Sequence, residues 1–173
     1  MHNYEINPVT RNYESVTSYA PRYGNIYCLT WLLRGKSRRL YSSKSLNWYY
    51  SAGESPDGDV KSLREEPYPE FWDQAPDAII HLLKHATLTE VQVFANAVWQ
   101  ANPKFVQEIK AHDIVALIRS FYPDTKQLGL DLVEEFWDAE KPDYALLEAL
   151  ILSDLLEARD IGIRLLGQVV HES

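Results

Sequence analysis

Two histidines have the spacing of a metal-binding pair. His81 and His85 stand four residues apart, so on a helix both imidazoles lie on one face and can reach the same cation. The zinc-protease pattern also requires a glutamate directly after the first histidine, and Leu82 occupies that position. We therefore expect two surface histidines and no metal site.

A basic segment carries the residue types that bind nucleic acid. Its five cations fall within eleven residues that contain no acid: Arg34, Lys36, Arg38, Arg39 and Lys44. Tyr41 and the aromatic run 48–50 accompany them. Cations neutralise phosphates, and aromatic rings stack on bases. The alternative is a solvated loop whose aromatics pack on the first helical hairpin. We favour this alternative because no basic face extends over the whole domain.

A cluster of carboxylates has the residue type of an acid/base site. Its members are Glu134, Glu135, Asp138 and Glu140. A general acid must be kept protonated by a buried pocket, and neighbouring charges at an exposed helix end do not form one. We interpret the cluster as a solvated face. The sequence also has no phosphate-binding glycine loop, no CxxC pair and no recognisable nucleophile turn. We expect no enzymatic activity and no cofactor.

Composition indicates a globular protein. The chain has 173 residues, of which 46% are hydrophobic and 12% aromatic. No apolar run approaches the roughly 20 residues that a membrane span requires, and the N-terminus lacks the apolar core of a signal peptide. The single cysteine, Cys28, cannot form an internal disulfide, which is consistent with a reducing compartment. We expect a cytoplasmic protein that does not bind membranes.

Negative charge is concentrated in the C-terminal part of the chain. Residues 111–173 contain 13 acidic and 5 basic residues, a net charge of −8 that equals the net charge of the whole chain. Such a region repels a nucleic-acid backbone and attracts a basic protein over a Debye length of roughly 8 to 10 Å.

Positions in the second half of the chain repeat every 33 or 34 residues. The apolar positions in register are Ile80, Ile114 and Leu147, then Leu83, Leu117 and Leu150, then Val98, Leu132 and Leu165. Small residues recur in the same way at Ala95, Gly129 and Gly162. A glycine inside a helix costs about 1 kcal/mol relative to alanine, so its recurrence predicts a close approach of a neighbouring helix. This period is typical of a helical repeat array.

The spacing within each repeat predicts a pair of helices. Apolar residues follow the i, i+3, i+4, i+7 pattern, with breaks at 87–89, 121–124 and 153–155. We therefore predict an all-α solenoid of three stacked antiparallel hairpins over residues 76–173.

Residues 1–75 are predicted to form an irregular, aromatic-rich cap. Residues 1–23 have no sustained period and are interpreted as an extended arm or irregular cap, and 51–59 as a loop. A short buried helix is expected from Asn25, its cap, to Arg34, before Gly35. Phe71 and Trp72 are expected to cover the open edge of the first hairpin.

The lead-in to the repeats also resembles a known family. The run REEPYPEFWDQAPDAIIHLLKHA, followed by the helix pairs, is similar to a segment of long bacterial HEAT-like repeat proteins, some of which carry a WGR domain. The resemblance covers roughly residue 23 onward and rests on packing residues. It implies a HEAT-like or armadillo-like α-solenoid that serves as an interaction scaffold, and it implies no catalytic residue.

The last predicted helix has a second apolar stripe. Ile163, Leu166 and Val170 are in register with Leu130, Val133 and Trp137, which the third hairpin can cover. Terminal repeats usually turn a polar face outward. This stripe therefore predicts a protein partner, further repeats of a longer array, or self-association through the last helix. Nucleic-acid binding through 34–44 is the alternative function.

Overall fold

The computed structural model describes residues 2–6, 13–17, 27–44, 48–51 and 64–171. Side chains are described for 27–44, 48–51 and 64–169. The chain divides into two compact units. The first comprises Met1–Gly58 and Glu65–Pro67, and the second comprises Asp59–Arg64 and Tyr68–Ser173.

The first unit combines one helix with two small antiparallel sheets. Strand β1 (His2–Ile6) pairs with β2 (Tyr13–Thr17), and helix α1 spans Tyr27–Arg34. Strand β3 (Leu40–Ser42) pairs with β4 (Trp48–Tyr50). The predicted short helix is confirmed, and it ends before Gly35, where a Cβ atom would lie 2.5 Å from the carbonyl oxygen of Trp31.

The all-α prediction holds for most of the chain but missed these strands. Both hairpins are short, and their tyrosines, valine and threonine favour extended backbone. The predicted helix is also less buried than expected, because Leu33 is buried whereas Trp31 is 39% exposed. The predicted cap residue Asn25 and most of the predicted loop 51–59 lie outside the described residues.

The second unit consists of helices. These are α2 (Pro69–Trp72), α3 (Pro76–His85), α4 (Thr89–Ala101), a 3-10 helix (Pro103–Gln107), α5 (Ala111–Ile118), α6 (Pro123–Phe136), α7 (Tyr144–Ile151) and α8 (Leu156–His171). Helix α3 packs on α4, α5 on α6, and α7 on α8, and we call these the first, second and third pairs. Helix α5 contacts both α3 and α7, and α4 contacts α6.

Local chemistry explains where several helices begin. Pro69, Pro76 and Pro123 stand in the first helical turn, where the missing amide proton has no intrahelical partner to lose. Helix α7 begins after Asp143, whose carboxylate accepts hydrogen bonds from the amides of Ala145 and Leu146. The observed helices begin and end within a few residues of the predicted breaks.

The apolar repeat positions form the core of the second unit. The three leucines in register at 83, 117 and 150 are fully buried. At Gly129 an added Cβ would lie 2.9 Å from the amide nitrogen of Ile118, and at Gly162 it would lie 3.0 Å from the Cβ of Leu150. The predicted close approach is thus confirmed, and it occurs between the two helices of one pair. No helix in the described part of the chain is both long enough and apolar enough to cross a membrane.

Candidate functional site

The second helix of each pair carries a stripe at spacing i, i+4, i+7, i+11 that we call the outer stripe. Its members in register are Gln92, Asn96, Trp99 and Pro103 in α4 and just after it, then Lys126, Leu130, Val133 and Trp137 in α6 and just after it, then Arg159, Ile163, Leu166 and Val170 in α8. In α4 and α6 the first three members are all buried. In α8 Ile163 is 64% exposed and Leu166 is 41% exposed. The outer stripe is therefore buried in the first and second pairs and exposed in the third.

Polar contacts with the second pair cover the α4 stripe. The hydroxyl of Thr125 in α6 donates to Oε1 of Gln92 at 2.7 Å and accepts from Nδ2 of Asn96 at 2.9 Å. The amide of Gln92 also donates to the carbonyl oxygens of Leu83 and Ala86, which closes the end of α3. All three side chains of this network are buried, and the hydroxyl of Thr125 bonds to both of the others.

Contacts of the second and third pairs surround the α6 stripe. Nζ of Lys126 donates to Asp154, in the turn between α7 and α8, and this hydrogen bond lowers the pKa of Asp154. At the other end of the stripe, the indole of Trp137 donates to Gln168 at 2.9 Å. Leu130 and Val133 lie between these two contacts and are 3% and 0% exposed.

Charged pairs join the first helices of successive pairs. Lys84 in α3 donates to Asp113 in α5 at 2.5 Å, and Arg119 after α5 donates to Glu148 in α7 at 3.1 Å. Burial alone raises the pKa of Asp113, but the hydrogen bonds from Lys84 and the Lys110 amide outweigh it, so the pKa lies below its ordinary value. Leu152 is in register with Arg119 and is 73% exposed.

The outer face of the third pair is the candidate functional site, and we define it by Leu152, Arg159, Ile163 and Leu166. The structure brings the predicted Ile163 and Leu166 together on one exposed surface. Val170 lies in α8, but its side chain is outside the described residues.

Arg159 belongs to this face, although sequence reasoning did not select it. The repeat alignment could have identified it, because the first residue of each outer stripe is a long polar side chain: Gln92, Lys126 and Arg159. Gln92 and Lys126 are buried and bond to the following pair. Arg159 is exposed, and within the described residues its side chain makes no hydrogen bond or ion pair.

Helix α2 covers part of the opposite side of the second unit. The ring of Trp72 in α2 packs edge-on against Phe94 in α4, with 5.0 Å between ring centroids. Asp73 accepts hydrogen bonds from Asn102 at 2.7 Å and from Arg64 at 2.8 Å. The predicted covering role of Trp72 is therefore observed, whereas Phe71 is 67% exposed. Only one of the two predicted aromatics packs on the first pair.

The basic segment is partly neutralised within the first unit. Arg39 forms a two-bond ion pair with Glu65, with both N–O distances at 3.0 Å, and Arg34 donates to the hydroxyl of Tyr50 at 3.3 Å. Burial raises the pKa of Glu65, but the hydrogen bonds from Arg39 and Ser37 outweigh it and the pKa is lowered. The other three basic residues, Lys36, Arg38 and Lys44, are exposed.

The histidine pair lies beside an open cleft. The rings of His81 and His85 are 4.6 Å apart between centroids, and both side chains are exposed. A cleft of about 780 Å³ runs past His85 and His112 to Arg119 and Tyr122. Within the described residues no three His, Cys, Asp or Glu side chains are grouped so that they could hold a metal ion.

The carboxylate cluster is solvated and partly paired. Glu134 accepts a hydrogen bond from Arg164 of the third pair at 2.6 Å, and Asp138 accepts one from the amide of Glu140. All four carboxylates of the cluster are exposed. The contact with Arg164 gives Glu134 a structural role between the second and third pairs.

Comparison with known proteins adds no further assignment. No protein-family model, no curated protein and no solved structure matches this chain significantly.

Proposed function

We propose that this chain is a non-enzymatic protein-interaction scaffold built as a short HEAT-like α-solenoid. Its three helix pairs are the stacked repeats, and the outer face of the third pair is the surface that binds a protein partner or further repeats. One observation supports this proposal. The residues in register with Ile163 are buried in the first two pairs, whereas Ile163 itself is 64% exposed.

Burial of this face is energetically favourable. Each large aliphatic side chain that moves from water into an interface contributes on the order of 1.5 to 3 kcal/mol. Leu152, Ile163 and Leu166 form an exposed apolar surface on a protein of net charge −8, and large exposed apolar patches mark interaction sites. The acidic C-terminal region favours a partner with a basic rim.

Nucleic-acid binding through residues 34–44 is the second candidate. One observation supports it: Tyr41 and Tyr49 are exposed and stacked, with 5.7 Å between ring centroids, in the same unit as the exposed cation Lys36. The ion pair of Arg39 with Glu65 reduces the positive charge of this surface.

The two candidates are separated by a pull-down of the tagged chain from its native lysate, with and without nuclease. Three baits are compared: wild type, a Leu166→Glu variant, and a variant with Lys36, Arg38 and Lys44 changed to Glu. The scaffold proposal predicts a protein that survives nuclease, is lost with Leu166→Glu and is retained by the charge variant. Partners that disappear with nuclease, or that depend on the three cations, would instead support nucleic-acid binding.

A further inference from the structure

We infer that the outer face of the third pair binds a helical hairpin of a partner protein that carries a carboxylate in the turn between its two helices. This inference rests on the proposed scaffold function and specifies the partner's structure and charge. It is based on the continuity of the exposed face with two interfaces already present in the molecule.

The exposed face of the third pair continues the outer stripe that is buried in the second pair. The third pair bonds to both ends of the α6 stripe, at Lys126 and Trp137, and Leu130 and Val133 between them are buried. Ile163 and Leu166 of α8 repeat these two positions 33 residues later. A surface with the same spacing and the same apolar side chains fits the same kind of occupant, which is an antiparallel pair of amphipathic helices.

The first residue of the α6 stripe and of the α8 stripe is a cation. Lys126 donates to Asp154, and Asp154 lies in the turn between the two helices that cover the α6 stripe. Arg159 is the residue in register with Lys126, and it is an exposed cation. A carboxylate in the equivalent turn of the partner would reach its guanidinium, which donates two parallel hydrogen bonds to a carboxylate better than lysine does.

The first helices of the second and third pairs differ at one register position. Arg119 in the second pair bonds to Glu148, and the residue in register in the third pair is the exposed Leu152. The first helix of the partner therefore presents an apolar side chain where Glu148 would stand. The expected partner surface is apolar along both helices, with one acid in the turn.

On the opposite side α2 already packs against the first pair, which disfavours a chain of copies joined head to tail. A second copy stacked there would meet Trp72, which packs on Phe94. A second copy that bound through its own third pair would give a symmetric dimer rather than a hairpin stacked as the next repeat.

The test extends the full chain by one helix pair. A copy of residues 139–171, in which the copied Glu148 is changed to Leu so that an apolar side chain faces Leu152, is joined after residue 171. The copy keeps the period of 33 and places the copied Asp154 opposite Arg159. The added pair should raise the melting temperature by about 5 °C or more and slow amide exchange in α8. Arg159→Glu should reduce this gain. Restoring the opposite charge, with Arg159→Asp and the copied aspartate changed to Arg, should recover it. The inference would be overturned if the extended chain had the same melting temperature as the parent chain and the same amide exchange rates in α8.

A second measurement uses the unextended chain and does not depend on folding of the added pair. A photo-crosslinking amino acid replaces Ile163 in the native cell, and the adduct is mapped by mass spectrometry. The inference predicts a peptide from a helical hairpin with an acid in its turn, at a yield lowered at least about threefold by Arg159→Glu. A peptide from this same chain, or from a strand or an irregular segment, would overturn the inference while leaving the scaffold proposal intact. Absence of any protein adduct would contradict both.

Discussion

Leu130 in α6 and Ile163 in α8 occupy the same position in successive helix pairs, yet Leu130 is 3% exposed and Ile163 is 64% exposed. The difference arises because the third pair packs over α6. Leu130 lies between Lys126 and Trp137, which both bond to the third pair, whereas no described residue covers Ile163 in the same way. An apolar residue at a position that is otherwise buried thus stands at the surface, which is why we place the interaction site there.

Gly129 lies where two helices approach closely, so replacing it with alanine should lower stability. Gly129→Ala gains helix propensity, but its Cβ would lie 2.9 Å from the amide nitrogen of Ile118, a backbone atom that cannot move alone. We expect a net loss of about 1 to 2 kcal/mol in the free energy of unfolding, measured with urea. Gly167→Ala is the matched control, because nothing lies within 4 Å of its Cβ position. Equal stability of the two variants would contradict the close packing.

The buried hydroxyl of Thr125 holds two amide side chains of the preceding pair. Thr125→Val keeps the volume but removes the hydroxyl that bonds Gln92 and Asn96, so buried polar groups lose a partner. The expected loss is about 1 to 3 kcal/mol of unfolding free energy. Thr89→Val, at the start of α4, should change stability by less than about 0.5 kcal/mol. A Thr125→Val variant as stable as wild type would show that this network contributes little.

Adjacent aromatics in α2 should differ in their contribution to stability. Trp72 packs edge-on against Phe94, whereas Phe71 is 67% exposed. Trp72→Ala should therefore destabilise the second unit by about 2 kcal/mol, through lost contact area and a partly exposed Phe94. Phe71→Ala should stay within about 0.5 kcal/mol of wild type. Thermal unfolding followed by circular dichroism measures both, and a reversed order would contradict the observed packing.

The ion pair of Lys84 and Asp113 predicts sensitivity to acid. Because the pKa of Asp113 in the folded protein lies below its ordinary value of 3.8, the unfolded chain binds more protons as the pH falls. The stabilisation is therefore fully present above pH 3.8 and is lost as the pH drops through the lower, folded-state pKa. Asp113→Asn should cost about 2 kcal/mol at pH 7. This difference from wild type should shrink in urea unfolding below about pH 4. A difference that is independent of pH would contradict the ionic contribution.

Periodicity predicted the parts of the fold that depend on local spacing. The helix pairs, the buried leucine column and the close approach at Gly129 all derive from residues 33 or 34 apart. The strands β1 to β4 were missed because strands of three to five residues are too short to give a recognisable alternation.

Contacts between pairs were harder to predict. Asp113 and Thr125 resemble ordinary surface residues in the sequence, and they are buried only because the neighbouring pair supplies Lys84 and Gln92. Arg159 was missed for a related reason. Its assignment to the binding face relies on the contact between Lys126 and Asp154. That contact is apparent only when the second and third pairs are packed together.

The central claim is that Leu166 and its neighbours form a binding surface, and capture by matched baits tests it most directly. Wild type, Leu166→Glu and Phe121→Glu are compared in nuclease-treated native lysate, with thermal unfolding confirming that all three fold. Phe121 is 98% exposed and lies outside the face, so it controls for added charge. We predict equal capture of a protein by wild type and Phe121→Glu, and at least about tenfold less by Leu166→Glu. Equal capture by all three baits would contradict the account.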